Sequence, residues 1–291
     1  MINRFLTLSN FFLPALFAIS ASFAQEPSTD NTKIDAQFAH LSNGDSTFSN
    51  PLRVIQNNAF RAGEKLEYSI RYGPFIAGKS QLSVSELILY NNYPSYRFVS
   101  EATSTGLFRR LFKVDDRVES VTDARGIFSW HFKKRLREGS FKQDIEIRYD
   151  QENHLTFVEG DTFNVTPFVL DVLASMYYVR TQDISPGDTL YIDHQDNRKL
   201  YPLKIVVHTR EKVKIKAGSF DCLVVEPFLA EPGLFQQRGT LVIHMTDDHR
   251  KIPVKMTSYI YVSKFNLGAV VAELESMEGV MPEVLPNTDS R

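Results

Sequence analysis

Short runs of alternating apolar and polar residues, each closed by turn chemistry, recur through most of this chain and leave room for little except an antiparallel meander. Lys212–Lys255 shows the pattern most plainly. Val213 and Ile215 alternate with lysines, and Ala217-Gly218-Ser219 turns the chain into Phe220–Glu226. A bend at Glu231–Gly233 leads to a third run, Thr240–Met245, and Thr246-Asp247-Asp248 turns towards Ile252-Pro253-Val254. A period of two sends successive side chains to opposite faces of a pleated strand. Many such runs at short, even spacing are the mark of a sandwich or barrel built from sequential strands.

The pattern extends in both directions. Leu66, Tyr68, Ile70 and Tyr72 share one face of a strand over Glu64–Tyr72, Gly73-Pro74 is a turn, and alternation resumes from Leu82 to about Tyr90. Asn91–Pro94 turns into Tyr96–Thr103, and Leu107–Phe112 reads as one helical turn or an irregular crossing. Further strands are expected at Asp116–Asp123, Ile127–Leu136, Phe141–Tyr149, Leu155–Glu159, Thr189–Asp193, Leu200–Arg210, Met256–Ser263 and Ala269–Met277. One segment departs from this rhythm. Thr166-Pro167 has the form of an N-cap followed by proline at the first helical position. Val169, Val172, Leu173 and Met176 then fall at i, i+3, i+4 and i+7, which predicts a helix from Pro167 to about Arg180 that plugs the concave face or open end of the sheet. The expected fold is all-β: a long, curved antiparallel meander or half-open β-barrel with one α-helix packed on or plugging it.

The termini bear on compartment. Arg4 precedes a mostly apolar stretch, Phe5–Ala21, and Ser22-Phe23-Ala24 is a small-x-small cleavage site, so residues 1–24 read as a signal peptide. The protein is therefore expected to be periplasmic or secreted. Asn10 and Pro14 interrupt the apolar stretch, and no later stretch is long and apolar enough to span a bilayer as a helix. Residues 25–58 are polar and aperiodic and read as a flexible arm with short ordered pieces near Phe38 or Val54. Residues 59–280 read as a single β-rich domain and 281–291 as a polar tail. A net charge of −2 gives no case for a nucleic-acid partner. A lone cysteine, Cys222, cannot form an internal disulfide, so stability must come from burial.

Several motifs invite a chemical reading. Gly73-Pro-Phe-Ile-Ala-Gly78-Lys79-Ser80 matches the phosphate-binding pattern G-x-x-x-x-G-K-[ST]. That chemistry needs a loop of free backbone N–H groups opening a helix. Pro74 lacks one, Phe75 and Ile76 are bulky, and the following residues alternate like a strand, so Gly73, Gly78, Lys79 and Ser80 read as a decoy hairpin. Cys222 sits in a strand that could neighbour His208 or His244, but a free cysteine there reads first as a small buried hydrophobe. Asp247-Asp248, and Asp193 with Asp196 and Asn197, read as turn caps rather than acids or metal ligands. The seven histidines, His40, His131, His154, His194, His208, His244 and His249, show no metal-binding spacing. Lys133–Arg137 and Arg109-Arg110 could face anionic lipid or glycan. Alternation splits the first run between two faces, so it reads as a solvated, aggregation-resistant strand.

Three segments carry a family resemblance. Phe60-Arg-Ala-Gly63-Glu64-Lys-Leu66-Glu-Tyr68 with Gly73 and Ala77-Gly78 is one. Leu173–Arg180 is the second, and the module from Gly218-x-Phe220-x-Cys222 to Asp247-Asp248 and Ile252-Pro253-Val254 is the third. Together they resemble exported bacterial proteins of domain-of-unknown-function family 3108 over roughly Phe60–Gly279. The resemblance implies an envelope-associated β-rich domain and supplies no catalytic residue, cofactor or metal site. The residues then point to a non-catalytic protein that binds a lipid or other amphiphile, or an envelope protein partner. The alternative is an exported hydrolase using Cys222 or the Asp247/Asp248 region.

Overall fold

The computed structural model describes residues 53–229, 239–262 and 265–283. Fifteen strands form one antiparallel sheet. Nine of them precede the central helix: β1 Lys65–Tyr72, β2 Phe75–Val84, β3 Ile88–Tyr90, β4 Tyr93–Ser104, β5 Asp115–Asp123, β6 Ser129–Glu138, β7 Phe141–Asp150, β8 Leu155–Val158 and β9 Asp161–Asn164. Six follow it: β10 Thr189–Asp196, β11 Lys199–Ile215, β12 Gly218–Leu229, β13 Gly239–Thr246, β14 Pro253–Val262 and β15 Phe265–Glu278. Helix α1, Gly106–Leu111, lies between β4 and β5, and helix α2, Val172–Arg180, lies between β9 and β10.

Most strands pair with their sequence neighbours, as tight turns dictate. Asn91 and Asn92, both at positive φ, close the two-residue hairpin between β3 and β4, as a type I′ turn requires. The long-range link is β1 on β15, which joins the two ends of the chain in mid-sheet with Lys65 opposite Glu278 and Tyr72 opposite Val270. The free edges are therefore β9 and β10, and the segment that connects them in sequence also spans the gap between them. Val165 donates to the carbonyl of His154 just before β8, Ser129 at the start of β6 donates to the Val169 carbonyl, and Leu170 donates to the Asp193 carbonyl of β10. The sheet is an open one whose missing wall is a connection and a helix.

That sewing corrects the expected helix start. Residues 165–170 spend their backbone groups on the edges, and Phe168 sits at φ 62°, outside any helix. The cap is Asp171, whose Oδ1 accepts from the N–H groups of Leu173 and Ala174 at 2.9 and 3.0 Å. Two other expectations also change. Arg53 of the supposed arm donates to the carbonyls of Gly126 and Ile127 and stacks on Phe168 and Tyr178, so residues 53–58 belong to the folded body. The run Val213–Ile215 is not a separate strand but the end of the 17-residue β11, bent by a register shift between Val207 and Arg210. The expected signal peptide, the bend at 231–233 and most of the tail lie outside the described residues.

Alternate residues of each strand meet inside, with α2, in one apolar core. Phe98 of β4 stacks on Tyr177 of α2 at 3.8 Å, and Phe60 packs edge-on against both. These contacts seat the helix on the concave face. Gly78 shows how close the strands run. A Cβ there would lie 2.5 Å from the Thr103 carbonyl oxygen of β4, so no larger residue fits without parting the two strands.

Candidate functional site

The expected chemical motifs disperse into structural roles. Gly73 at φ 55° and Pro74 form the two-residue turn between Tyr72 and Phe75. Gly78, Lys79 and Ser80 lie within β2, opposite Ile70, Ser69 and Tyr68. They sit in a hairpin turn and a strand, not in a loop opening a helix N-terminus. Cys222 is fully buried, its thiol 3.6 Å from the Phe220 carbonyl, and burial pushes its pKa up to about 12. His208 and His244 bond instead to Glu226 and Glu211, at 2.7 and 3.2 Å.

Asp247 pairs with Arg210 at 2.6 Å. Asp248 accepts from the Arg250 backbone and guanidinium, which hold its carboxyl below the ordinary range against the opposing effect of burial. Asp196 is engaged by Lys134 at 2.9 Å, with both side chains buried or nearly so. That pair corrects the reading of the basic run. Lys133 and Arg135 are exposed, but Lys134 points inward and ties β6 to β10 across the open side. Among the described residues no three His, Cys, Asp or Glu side chains are grouped to hold a metal ion.

The three segments that carry the family resemblance meet at one place. Glu64, just before β1, and Arg180, at the end of α2, form a fully buried ion pair, the guanidinium donating to the two carboxylate oxygens at 2.5 and 2.9 Å. Arg180 also donates to the carbonyls of Arg250 and Ala59 and lies over the rings of Phe60 and Tyr177. Tyr68 donates to the Pro253 carbonyl at 2.8 Å. The constellation is nearly saturated: each nitrogen of the guanidinium and each carboxylate oxygen has a partner, which leaves little with which to bind a ligand.

Two polar groupings that sequence reading missed are less complete. The first lies in a cavity of about 40 Å³ between α2 and the inner face of β11–β13. Ten of its twelve lining side chains are apolar, among them Met176, Val179, Leu203, Ile243 and Met245. The other two are Ser175 and His194, whose Oγ and Nδ1 lie 3.1 Å apart. His194 Nε2 has no partner among the described residues, and burial lowers this imidazole to about 4. A serine beside a histidine suggests nucleophile and base. A base that titrates near 4 is mismatched to neutral pH, however, and the space is far below the roughly 300–1,000 Å³ of a small-molecule pocket.

The second grouping is Asp116 and Glu138, both buried at the start of β5 and the end of β6. Asp116 accepts from the Arg137 N–H at 2.7 Å. Burial, reinforced by the neighbouring carboxylate, pushes Glu138 up to about 9, and burial also raises Asp116 to about 6. At neutral pH Glu138 therefore keeps its proton and donates it towards Asp116. Neither grouping announces itself in sequence, because each forms between strands or across 19 residues of chain.

The family model described as "Protein of unknown function (DUF3108)" matches residues 67–275. No curated protein matches the sequence. Among solved structures, the chain is similar to a β-barrel-like protein of domain of unknown function DUF1849 from Brucella abortus, with 10% identity over 79% of this chain and 99% of that one and a TM-score of 0.49. It is also similar to a protein from Parabacteroides distasonis (10% identity, 79% and 100% coverage, TM-score 0.34) and to one with a YmcC-like fold from Bacteroides fragilis (13%, 78% and 100%, 0.33). No helix among the described residues is long and apolar enough to cross a membrane.

Proposed function

This chain belongs to the DUF3108 family, and from that premise we propose that it is a non-catalytic binding protein of the cell envelope whose ligand is an amphiphile. The observation that carries the reading is the cavity under α2, walled by apolar side chains and floored by the Ser175–His194 pair. Apolar walls with a few convergent polar groups are the usual make-up of a site for a mostly hydrocarbon ligand. The volume of about 40 Å³ sets the scale: it receives the end of a chain, not a whole lipid. Met176 and Met245 are unbranched and repack at small cost, so the cavity lengthens along them as a chain enters. Val172 and Pro227, both half-buried, stand at its margin.

Export follows from the leader-like residues 1–24. The alternative, hydrolysis at Cys222 or Asp247/Asp248, has less support, because the thiol is buried with a raised pKa and both aspartates are engaged by arginines. Titration with a fatty acid carrying an environment-sensitive fluorophore tests the reading. Saturable binding is expected in the wild type, displaced by unlabelled oleate and weakened at least about tenfold by Val225→Phe, which fills the cavity. Absence of saturable binding by folded wild-type protein refutes it.

A further inference from the structure

The end of the sheet where β1 turns into β2 inverts the usual arrangement of a globular surface. Phe75 and Ile76 are 62% and 52% exposed, and Leu107 and Leu111 on α1 are 68% and 74% exposed. Leu107 and Leu111 are four residues apart and share one helix face. The Phe75 and Phe108 rings lie 6.4 Å apart, which joins the hairpin and the helix into one patch.

The patch is held rigidly. Thr105 donates to the Ala77 carbonyl, Gly139 donates to the Lys113 carbonyl, and the Phe112 ring lies so close to Gly139 that a Cβ there would meet it at 2.7 Å. Scattered exposed hydrophobes need no explanation, but four large ones on one braced end do.

The charge around the patch selects its partner. Three neighbouring connections at this end, residues 71–79, 105–113 and 139–142, contain Arg71, Lys79, Arg109, Arg110, Lys113 and Lys142 and no acidic residue, in a chain whose net charge is −2. The next acid along the chain, Asp115, already faces Arg135 at 3.6 Å. Apolar side chains ringed by lysine and arginine match the interface of an anionic bilayer, where hydrocarbon enters the headgroup boundary and the bases meet phosphate. We propose that this end of the sheet docks on the surface of an anionic phospholipid membrane, with Phe75, Ile76, Leu107 and Leu111 inserting and Arg109, Arg110, Lys113 and Lys142 contacting headgroups. A protein partner would be expected to find unpaired acid in the rim for register, and among the described residues the acid nearest the patch, Asp115, is already spent on Arg135.

Co-sedimentation of the purified protein with vesicles of phosphatidylcholine alone, or of phosphatidylcholine and phosphatidylglycerol at 3:1, tests the proposal. Binding to the anionic vesicles is expected to exceed binding to the neutral ones by about tenfold or more and to fall with salt. L107E/L111E is expected to abolish it, and R110Q/K113Q to reduce it about tenfold, with thermal melting unchanged in both because these side chains are exposed. Two outcomes overturn the proposal: equal, weak sedimentation with both lipids, or self-association of the wild type that L107E/L111E abolishes without any vesicle binding. Val225→Phe, which fills the distant cavity, is expected to leave vesicle binding intact, so this test and the fatty-acid titration fail independently.

Discussion

The two ends of β1 lie roughly 25 Å apart, from eight residues at about 3.3 Å each, and they treat charge and hydrocarbon in opposite ways. At the Glu64 end a glutamate and an arginine are wholly buried, and each polar atom has a partner. At the Phe75 end apolar side chains stand in solvent among bases. The first arrangement is costly to break and has little to spare with which to bind. The second contributes little to stability and is unsatisfied until something covers it. The contrast teaches where to look for function in a fold without an evident active site: at groups that folding leaves unfinished.

The comparison can be broken first at its buried end. Arg180→Ala should cost about 3–5 kcal/mol in urea denaturation, because it strands Glu64 without a counter-charge. The double substitution Glu64→Leu/Arg180→Met should recover much of that loss, and a double variant no better than Arg180→Ala would show that the carbonyl and ring contacts of Arg180 matter more than the pair. The next effect is at the hairpin. Gly78→Ala should cost about 1–3 kcal/mol through its clash with Thr103, while Lys79→Ala next to it should stay within about 0.5 kcal/mol, and neither variant nor wild type should gain thermal stability from ATP.

A smaller effect is expected from the carboxyl pair beside α1. A folded-state pKa raised to about 9 means that Glu138 holds its proton in the native protein after the unfolded chain has released it. Stability should therefore fall as pH rises from the ordinary glutamate range towards 9, and Glu138→Gln should flatten that slope in denaturation series at pH 5, 7 and 9. A slope unchanged in the variant would place the titration elsewhere. The smallest effect belongs to the exposed patch. Leu107→Ser and Leu111→Ser should each change stability by no more than about 0.5 kcal/mol, so a larger loss would mean that these leucines pack on the protein and are not a free surface.

Much of the β architecture was already in the sequence, for a physical reason: period-two alternation and turn residues are local, and local rules decide strands and hairpins. The turns Gly73-Pro74 and Asn91-Asn92 stand where their chemistry puts them, the turn expected at Ala217-Gly218-Ser219 falls instead at Lys216-Ala217, and alternation sends Lys134 and Lys133 to opposite faces. Local rules also demote the Gly73–Ser80 match, since a proline and an alternating strand cannot wrap a phosphate. They misplaced the start of α2. Thr166-Pro167 is an acceptable cap by itself, and only the pairing of residues 165–170 with β6, β10 and the turn before β8 moves the cap to Asp171. The closure of β15 on β1, the burial of Lys134 against Asp196 and the meeting of Ser175 with His194 were likewise decided in three dimensions, because each joins residues whose separation along the chain carries no signal. The same holds for the end of the sheet described above: Phe75 with Ile76 and Leu107 with Leu111 are ordinary apolar residues in sequence, and only the packing of α1 on β2 makes them one uncovered surface.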